Sequence, residues 1–400
     1  DFDINKARLF TTVPRICVRY ECVPMRFIKH VYKIHTYTQE GRLFEGKTPA
    51  SAFLNSSYDG SFIAGLMELR YIQSLPVERI INYFESHGFT LKKPTAHKLI
   101  EKASSLFENL YKCIRQTALS DPYKAADETY YKILVPEKNS KGKGFRKGYL
   151  WVVVGINTRM IYLLYDDGSR SERVILNELG SCKGIIQSDG YSPYRKLESD
   201  AYPNITRIPC LQHIKRKFID CGEKDPDAKR IVELINALYQ NEHKHKVGVE
   251  GWTVEQNLMH RKKYAPDILG EIKDVLDEIE ERGDLLPKSE LQEAITYLRN
   301  EWNAVVDIFN YGDTYLDNNM VERMNRYISL SRKNSLFFGS HKGAERGAIL
   351  YTIALTCRMH KVNLFEYLTD VINRTAEWQP NTPIEKYREL LPDRWEKAND

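Results

Sequence analysis

Tyr123-Lys124-Ala125-Ala126-Asp127-Glu128-Thr129-Tyr130-Tyr131-Lys132-Ile133-Leu134-Val135 reads as a long strand rich in aromatic and β-branched residues, with two acids at its middle. A Gly/Lys loop, Lys138 to Lys147, follows it. Tyr149 to Ile156 and Met160 to Tyr165 then form a hairpin-like pair, closed by the turn Asp166-Asp167-Gly168. Beyond this the pattern alternates: helix Ser171 to Leu179, buried strand Gly184 to Gln187, helix Ser192 to Leu197, strand Ile205 to Ile208, helix Leu211 to Ile219. Three strands followed by alternating helices and strands predict an α/β fold, a mixed sheet with helices packed on it.

On the N-terminal side, 13 to 45 alternate apolar and polar positions (Ile16, Val18, Tyr20; Phe27, Ile28, Val31, Tyr32) and predict a few short strands. From Ser61 the period becomes helical. Phe62, Leu66 and Leu69, then Val77, Ile80, Ile81 and Phe84, then Leu99, Leu106, Leu110 and Ile114 predict three helices over 61 to 118. Gly88 closes the second, and Lys92-Lys93-Pro94-Thr95 opens the third. Two helices joined by a short turn, the second entered through Lys92, Lys93 and Lys98, are compatible with a helix-turn-helix on DNA. They are equally compatible with an ordinary helical hairpin that has a solvated basic end.

On the C-terminal side, 224 to 300 are almost wholly helical in pattern and turn acidic between Asp267 and Glu293, a surface unsuited to a phosphate backbone. Basic helices resume at Asp317 and run to about Arg374, and the tail from Glu377 to Asp400 is expected to pack as an extended arm. The predicted organisation is therefore a β-rich segment (1–58), a helical DNA-binding region (59–120), the first part of an α/β core (121–222), an α-helical insertion (223–312), core helices (313–375) and a tail (376–400).

The 400 residues, 42% of them hydrophobic, suffice for two or three domains. A net charge of +5 permits nucleic-acid binding without arguing for it. Seven scattered cysteines with no C-x-x-C pair fit neither a disulfide framework nor a zinc ribbon, and point to a reducing cytoplasm. No apolar run approaches the ~20 residues of a membrane span, and Asp1 to Lys6 do not resemble an export signal, so no membrane partner is expected. The chain opens on Asp1 rather than Met, which allows for residues upstream.

Three acids stand in positions suited to chemistry. Strand alternation sends Asp127 and Glu128 to opposite faces, so one of them joins distant ligands, and Asp127 is the choice. Asp189, in Ile185-Ile186-Gln187-Ser188-Asp189-Gly190-Tyr191, ends a buried strand on the edge where α/β sheets gather ligands, although Asp-Gly is also a common turn. Glu322, in Asp317-Asn318-Asn319-Met320-Val321-Glu322-Arg323, opens a helix on which Asn319 and Glu322 would make a capping box. Capping leaves the cation field after it unexplained: Arg323, Arg326, Arg332, Lys333, Lys342 and Arg346 suit a helix beside DNA phosphates. Lys141, Lys143, Arg146 and Lys147 of the Gly/Lys loop are further candidates to clamp a backbone. Clustered carboxylates are the hard oxygen ligands that Mg²⁺ demands, and a pair of such ions about 3.5 to 4 Å apart is a known solution to phosphodiester cleavage.

With these runs, and with Arg332-Lys333-Asn334-Ser335-Leu336-Phe337-Phe338-Gly339-Ser340, Gly343-Ala344-Glu345-Arg346 and Glu389-Leu390-Leu391-Pro392, the chain resembles the bacterial DDE transposases of insertion sequence family sixty-six from about Ser61 to Trp395. The resemblance implies a ribonuclease H-like core with a helical insertion between the second and third acids. It also implies an enzyme that cuts transposon ends and joins them to target DNA with two Mg²⁺ ions, for which Mn²⁺ would substitute. The family's acids fall on Asp127, Asp189 and Glu322, separated by 62 (189 − 127) and 133 (322 − 189) positions. Cys210 and His213 match its Cys-x-x-His element, with a structural or DNA-contacting part expected of them more than a metal-binding one. Implied partners are the inverted-repeat ends and target DNA, further copies of the chain on DNA, and accessory proteins of the same element; the implied location is the nucleoid.

The sequence also departs from that family. Ile34-His35-Thr36-Tyr37-Thr38-Gln39-Glu40 stands where a second Cys pair of an N-terminal zinc segment is usual, so no zinc is expected, and no residues here match the family's N-terminal coiled-coil segment. Two alternatives stay open: a catalytically silent, transposase-derived DNA-binding regulator, and a tyrosine recombinase, whose H-x-x-R element is matched by His213-Ile214-Lys215-Arg216. A tyrosine enzyme would work in EDTA through a covalent adduct.

Overall fold

The computed structural model describes residues 19, 25–46, 51–53, 56–137, 142, 144–222, 225–244, 251–379 and 381–397. Ile16, Val18, Tyr20, Lys141 and Lys143 lie outside the described residues. Of the short strands expected over 13 to 45, the described part holds one exposed antiparallel hairpin, β1 (Thr36–Gln39) and β2 (Arg42–Glu45). Glu40 and Gly41, both at positive φ (51° and 76°), make its two-residue turn, the conformation that matches strand twist. Phe27, Ile28, Val31 and Tyr32 belong to no strand. Phe27 packs instead on Phe84 and Phe89, with ring centroids 4.9 and 4.7 Å away, where burial of an aromatic outweighs an unpaired strand's propensity.

The helical region contains four helices rather than three. α1 (Gly60–Met67) runs on as a π turn over Glu68–Ile72 and is followed by α2 (Val77–Ser86), α3 (Lys93–Leu106) and α4 (Glu108–Ser120). The expected third helix divides at Phe107, just after the Ser104 and Ser105 hydroxyls bond back to the carbonyl of Glu101 and compete with the backbone ladder. Gly88 turns at φ 81° after α2, and Pro94 sits in the first turn of α3.

The central sheet comprises β3 (Tyr123–Leu134), β4 (Phe145–Gly155), β5 (Ile161–Leu164), β6 (Gly184–Ser188) and β7 (Ile205–Pro209), in the order β5-β4-β3-β6-β7. β3, β4 and β5 form an antiparallel meander, whereas β6 and β7 lie parallel to β3. α5 (Glu172–Leu179) leads into β6, α6 (Ser192–Arg195) lies between β6 and β7, and α7 (Leu211–Asp220) follows β7. Pairing of β3 with β4 continues as far as Leu134 opposite Phe145, so Arg146 and Lys147 belong to a strand and not to the Gly/Lys loop.

The insertion is α8 (Pro226–Lys244), α9 (Val254–Arg282) and α10 (Glu290–Ile308). A Thr253/Gln256 capping box starts α9 and left-handed Gly283 ends it. The chain returns to the sheet with α11 (Asn319–Ser335) and α12 (His341–Met359). Between them Phe338 exchanges backbone hydrogen bonds with Lys132 and Leu134 at the far end of β3. α13 (Leu364–Ala376) and the short α14 (Ile384–Arg388) complete the fold. The tail is not an extended arm: Leu390 and Leu391 are buried, and Trp395 donates to Asp370 Oδ2 at 2.6 Å while standing edge-on to Tyr367. α14 packs on α4, where Cys113 Sγ donates to the Ile384 carbonyl, while Leu390 and Trp395 meet Tyr367 of α13.

Side chains from β3 and β5 divide between two layers. Asp127 lies opposite Val152 on the face covered by α11, and α12 reaches β5 through Thr352 and Thr356. Glu128, opposite Trp151, lies on the face where Trp151 meets Tyr194 of α6 edge-on at 6.1 Å.

Candidate functional site

β3 and β6 pair only over Tyr123–Ala125 and Ile185–Gln187. The pairing ends at Ala125, so Asp127 lies two residues beyond it on β3 and Asp189 directly follows β6, at the carboxyl edge where open α/β sheets build ligand sites. Asp127 Oδ1 accepts the Glu128 N–H at 2.8 Å, and Oδ2 accepts the Asn325 amide of α11 at 2.5 Å. Burial, with the charges of Glu128 and Asp189 adding to it, pushes the Asp127 carboxyl up to about 8, against the two hydrogen bonds that favour the anion.

Alternation divides Asp127 from Glu128 as expected, yet both sense Asp189. Burial raises Glu128 above the usual carboxylate range, opposed by Arg170, whose Nη2 and Nε reach Glu128 Oε1 at 2.6 and 3.1 Å. The Tyr194 hydroxyl donates to the other oxygen at 3.3 Å. Arg170 itself stacks over Tyr191, its carbon 4.2 Å from the ring centroid.

Asp189 follows directly on β6, and its Oδ1 accepts the Tyr191 N–H at 3.1 Å, so the turn role is real as well. Tyr297 of α10 and Arg207 of β7 secure this turn. The Tyr297 hydroxyl accepts the Gly190 N–H at 2.8 Å. Arg207, wholly buried on β7, donates to the Asp189 carbonyl at 2.7 Å and to the Ser188 hydroxyl at 3.0 Å, and pairs with Glu301 Oε2 at 2.6 Å and Glu198 Oε1 at 2.6 Å.

The capping box at Glu322 does not form. Asn318 is the cap residue, without a side-chain cap hydrogen bond, and Asn319 is already the first helical residue. Asn318 is occupied otherwise: its amide donates to the Ala126 carbonyl at 3.0 Å and its N–H to Cys210 Sγ at 3.2 Å, which ties the start of α11 to β3 beside Asp127. Glu322 Oε1 is buried with no hydrogen bond and lies 3.7 Å from His213 Nδ1. Thus Asp127 senses the charge of Asp189, while α11 presents Asn325 to Asp127 and Glu322 to Cys210 and His213.

The cation field separates into two sets. Arg323, Arg326, Lys333 and Lys342 are exposed, as are Lys92, Lys93 and Lys98, although Lys93 pairs with Glu78 at 2.7 Å. Arg332 instead stacks on Tyr130 at 3.9 Å and donates to its carbonyl at 2.5 Å, and Arg346 pairs with Glu101. Arg146 is held by Asp167 and His341, Lys147 lies over the Tyr130 ring, and His213 faces Glu322 rather than an open phosphate surface. Arg146 and Lys147 are exposed all the same, whereas Arg332, Arg346 and His213 are half-buried. Asn325, Arg170, Arg207, Tyr297 and Glu301 were not anticipated. Only Asn325 had a legible signal, three residues beyond Glu322 and so on the same helical face.

Asp127 and Asp189 are hard oxygen donors of the kind a divalent cation takes, the charge of Asp189 raises Asp127, and Glu322 has an orphaned carboxylate oxygen on α11. No described helix is long and apolar enough to cross a membrane.

A sequence model described as Transposase IS66 family matches residues 55–346. The chain is also similar to three uncharacterized proteins of Sinorhizobium fredii. It is 25% identical to y4jD over 370 residues (89% of this chain, 70% of that protein), 24% to y4hP over 404 (95% and 70%) and 25% to y4qI over 384 (92% and 69%).

Proposed function

The chain belongs to the Transposase IS66 family, and from that premise we propose that it cuts the ends of its element and joins them to target DNA at a site built from Asp127, Asp189 and Glu322. The observation that carries this reading is that Asp127 on the central strand feels the charge of Asp189 beside it, with α11 bringing Asn325 onto Asp127. Three antiparallel strands followed by two parallel ones, in the order β5-β4-β3-β6-β7 with the acid-bearing strand central, support a ribonuclease H-like core.

The three carboxylates would hold Mg²⁺, which when bound activates the attacking oxygen and relieves charge on the leaving 3′ oxygen. Asn325 fixes the Asp127 carboxylate in orientation. The Arg170 bridge keeps Glu128 as a neutralised neighbour on the opposite face of the strand. Arg207 and Tyr297 hold both sides of the Asp189 turn, so the second acid is placed by the insertion as well as by the sheet. Water first, and then the freed 3′ hydroxyl, would attack the scissile phosphate in line. Exposed Arg323 and Arg326, one and four residues beyond Glu322, are suited to hold the flanking phosphates.

The exposed Lys92, Lys93 and Lys98 at the start of α3 support a DNA-binding helical pair. Assembly of several copies on DNA and accessory proteins of the same element are part of the proposal. The test is a DNA fragment bearing the element's ends, incubated with Mg²⁺ or Mn²⁺. Asp189→Ala is expected to bind the fragment and fail to nick it, and unchanged nicking would overturn the assignment.

A further inference from the structure

Cys210, His213 and Glu322 offer one sulfur, one nitrogen and one oxygen atom that all lie within 4.8 Å of one another. The fold builds this group deliberately. Cys210 is the residue before α7 and His213 lies in its first turn, so one helical turn places both on one side. Glu322 arrives from α11, whose cap residue Asn318 donates its N–H to the same Cys210 sulfur at 3.2 Å. Cys210 is 1% exposed. His213 Nδ1 and Glu322 Oε1, 3.7 Å apart, are both buried without a hydrogen-bond partner. Two orphaned polar atoms facing each other beside a thiol lack the group that would satisfy all three.

The geometry points to a site for a soft or borderline divalent cation of the zinc class, ligated by Cys210 Sγ, His213 Nδ1 and Glu322 Oε1, with a further position open to water. Around tetrahedral zinc, bonds of about 2.0–2.3 Å put neighbouring donors about 3.3–3.6 Å apart. The His213–Glu322 separation is already close to that, and the sulfur closes by about 1 Å through side-chain rotation. Thiolate and imidazole favour zinc-class ions, whereas Mg²⁺ would select the all-oxygen donors Asp127 and Asp189. Glu322 is shared between the two sites. Given the catalytic reading above, a soft ion here holds the third acid on Cys210 and His213 and away from Asp127, so the site would restrain cleavage.

The test is titration of the chelator-treated full chain with Co²⁺ alone, without DNA, following the near-ultraviolet thiolate-to-cobalt band. The expected result is a saturable band in the wild-type chain that Zn²⁺ abolishes, that is lost in Cys210→Ser and weakened in His213→Ala, and that persists in Cys221→Ser. Circular dichroism establishes that each variant is folded, and His213→Ala decides the matter if Cys210→Ser does not fold. Absence of the band from the folded wild-type chain, or its survival in both variants, overturns the site. Because the band needs no turnover, a chain that binds cobalt here yet cuts no DNA under Mg²⁺ removes the catalytic reading and leaves this one, and the converse removes only this one.

Discussion

Replacing Glu301 by Ala removes the carboxylate opposite Arg207 in a place that water does not reach: the two side chains are 1% and 0% exposed, 2.6 Å apart. Breaking a buried pair from one side costs about 3–5 kcal/mol, because the remaining charge stays desolvated. Glu198, 37% exposed and also 2.6 Å from Arg207, still neutralises part of that charge, which places the expected loss near the lower end, about 3 kcal/mol. Urea unfolding followed by circular dichroism measures it. A second variant separates stability from positioning. Replacing both partners with apolar residues, Arg207→Met with Glu301→Leu, leaves no buried charge on this pair and is expected to recover most of the loss. It does not restore the hydrogen bonds to the Asp189 carbonyl and the Ser188 hydroxyl. Since a displacement of about 1 Å in a reacting group can cost on the order of 100-fold, the double variant should be stable yet cut DNA ends far more slowly than the wild type. Wild-type cleavage by the stable double variant would refute the positioning role. A loss below about 1 kcal/mol in Glu301→Ala would refute the buried pair itself.

Asp127, raised to about 8 from an ordinary 3.8, keeps its proton in the folded chain over a range where the unfolded chain has lost it. Stability of the metal-free protein therefore falls as pH rises from about 4 to about 8, and Asp127→Asn should flatten that decline in thermal scans taken at several pH values. Over the same window Mg²⁺ must displace a proton, so its affinity, followed calorimetrically, should rise by up to about tenfold per pH unit and level off above pH 8. Arg323→Ala or Arg326→Ala should reduce the slope of log affinity against log salt by about one in a gel-shift series, across unrelated DNA sequences alike. Gly190→Ala would place a methyl 2.5 Å from the Tyr297 hydroxyl, so it should lower Mg²⁺-dependent nicking with little change in DNA binding, measured side by side.

The order of elements in the sheet region was legible from period alone, since strand and helix patterns are local and the punctuation at Gly88, Gly168 and Pro94 is local too. Asp127 and Glu128 could be assigned to opposite faces because alternation along a strand is a property of the backbone. Where the reading went astray, the competing force came from elsewhere in the chain. Phe27 left its expected strand for the rings of Phe84 and Phe89, and Asn318 took the cap position of α11 because Ala126 and Cys210 needed its donors.

By itself, then, the sequence determined which carboxylates stand within the long strand, after a buried strand and on the returning helix, and the family to which their context belongs. Only the tertiary structure decided that Glu322 faces Cys210 and His213, that Asn325 reaches Asp127 across 198 positions, and that Glu301 reaches Arg207 across 94. Periodicity describes neighbours along the chain, whereas the pairing of a buried charge is set by whichever element is packed against it.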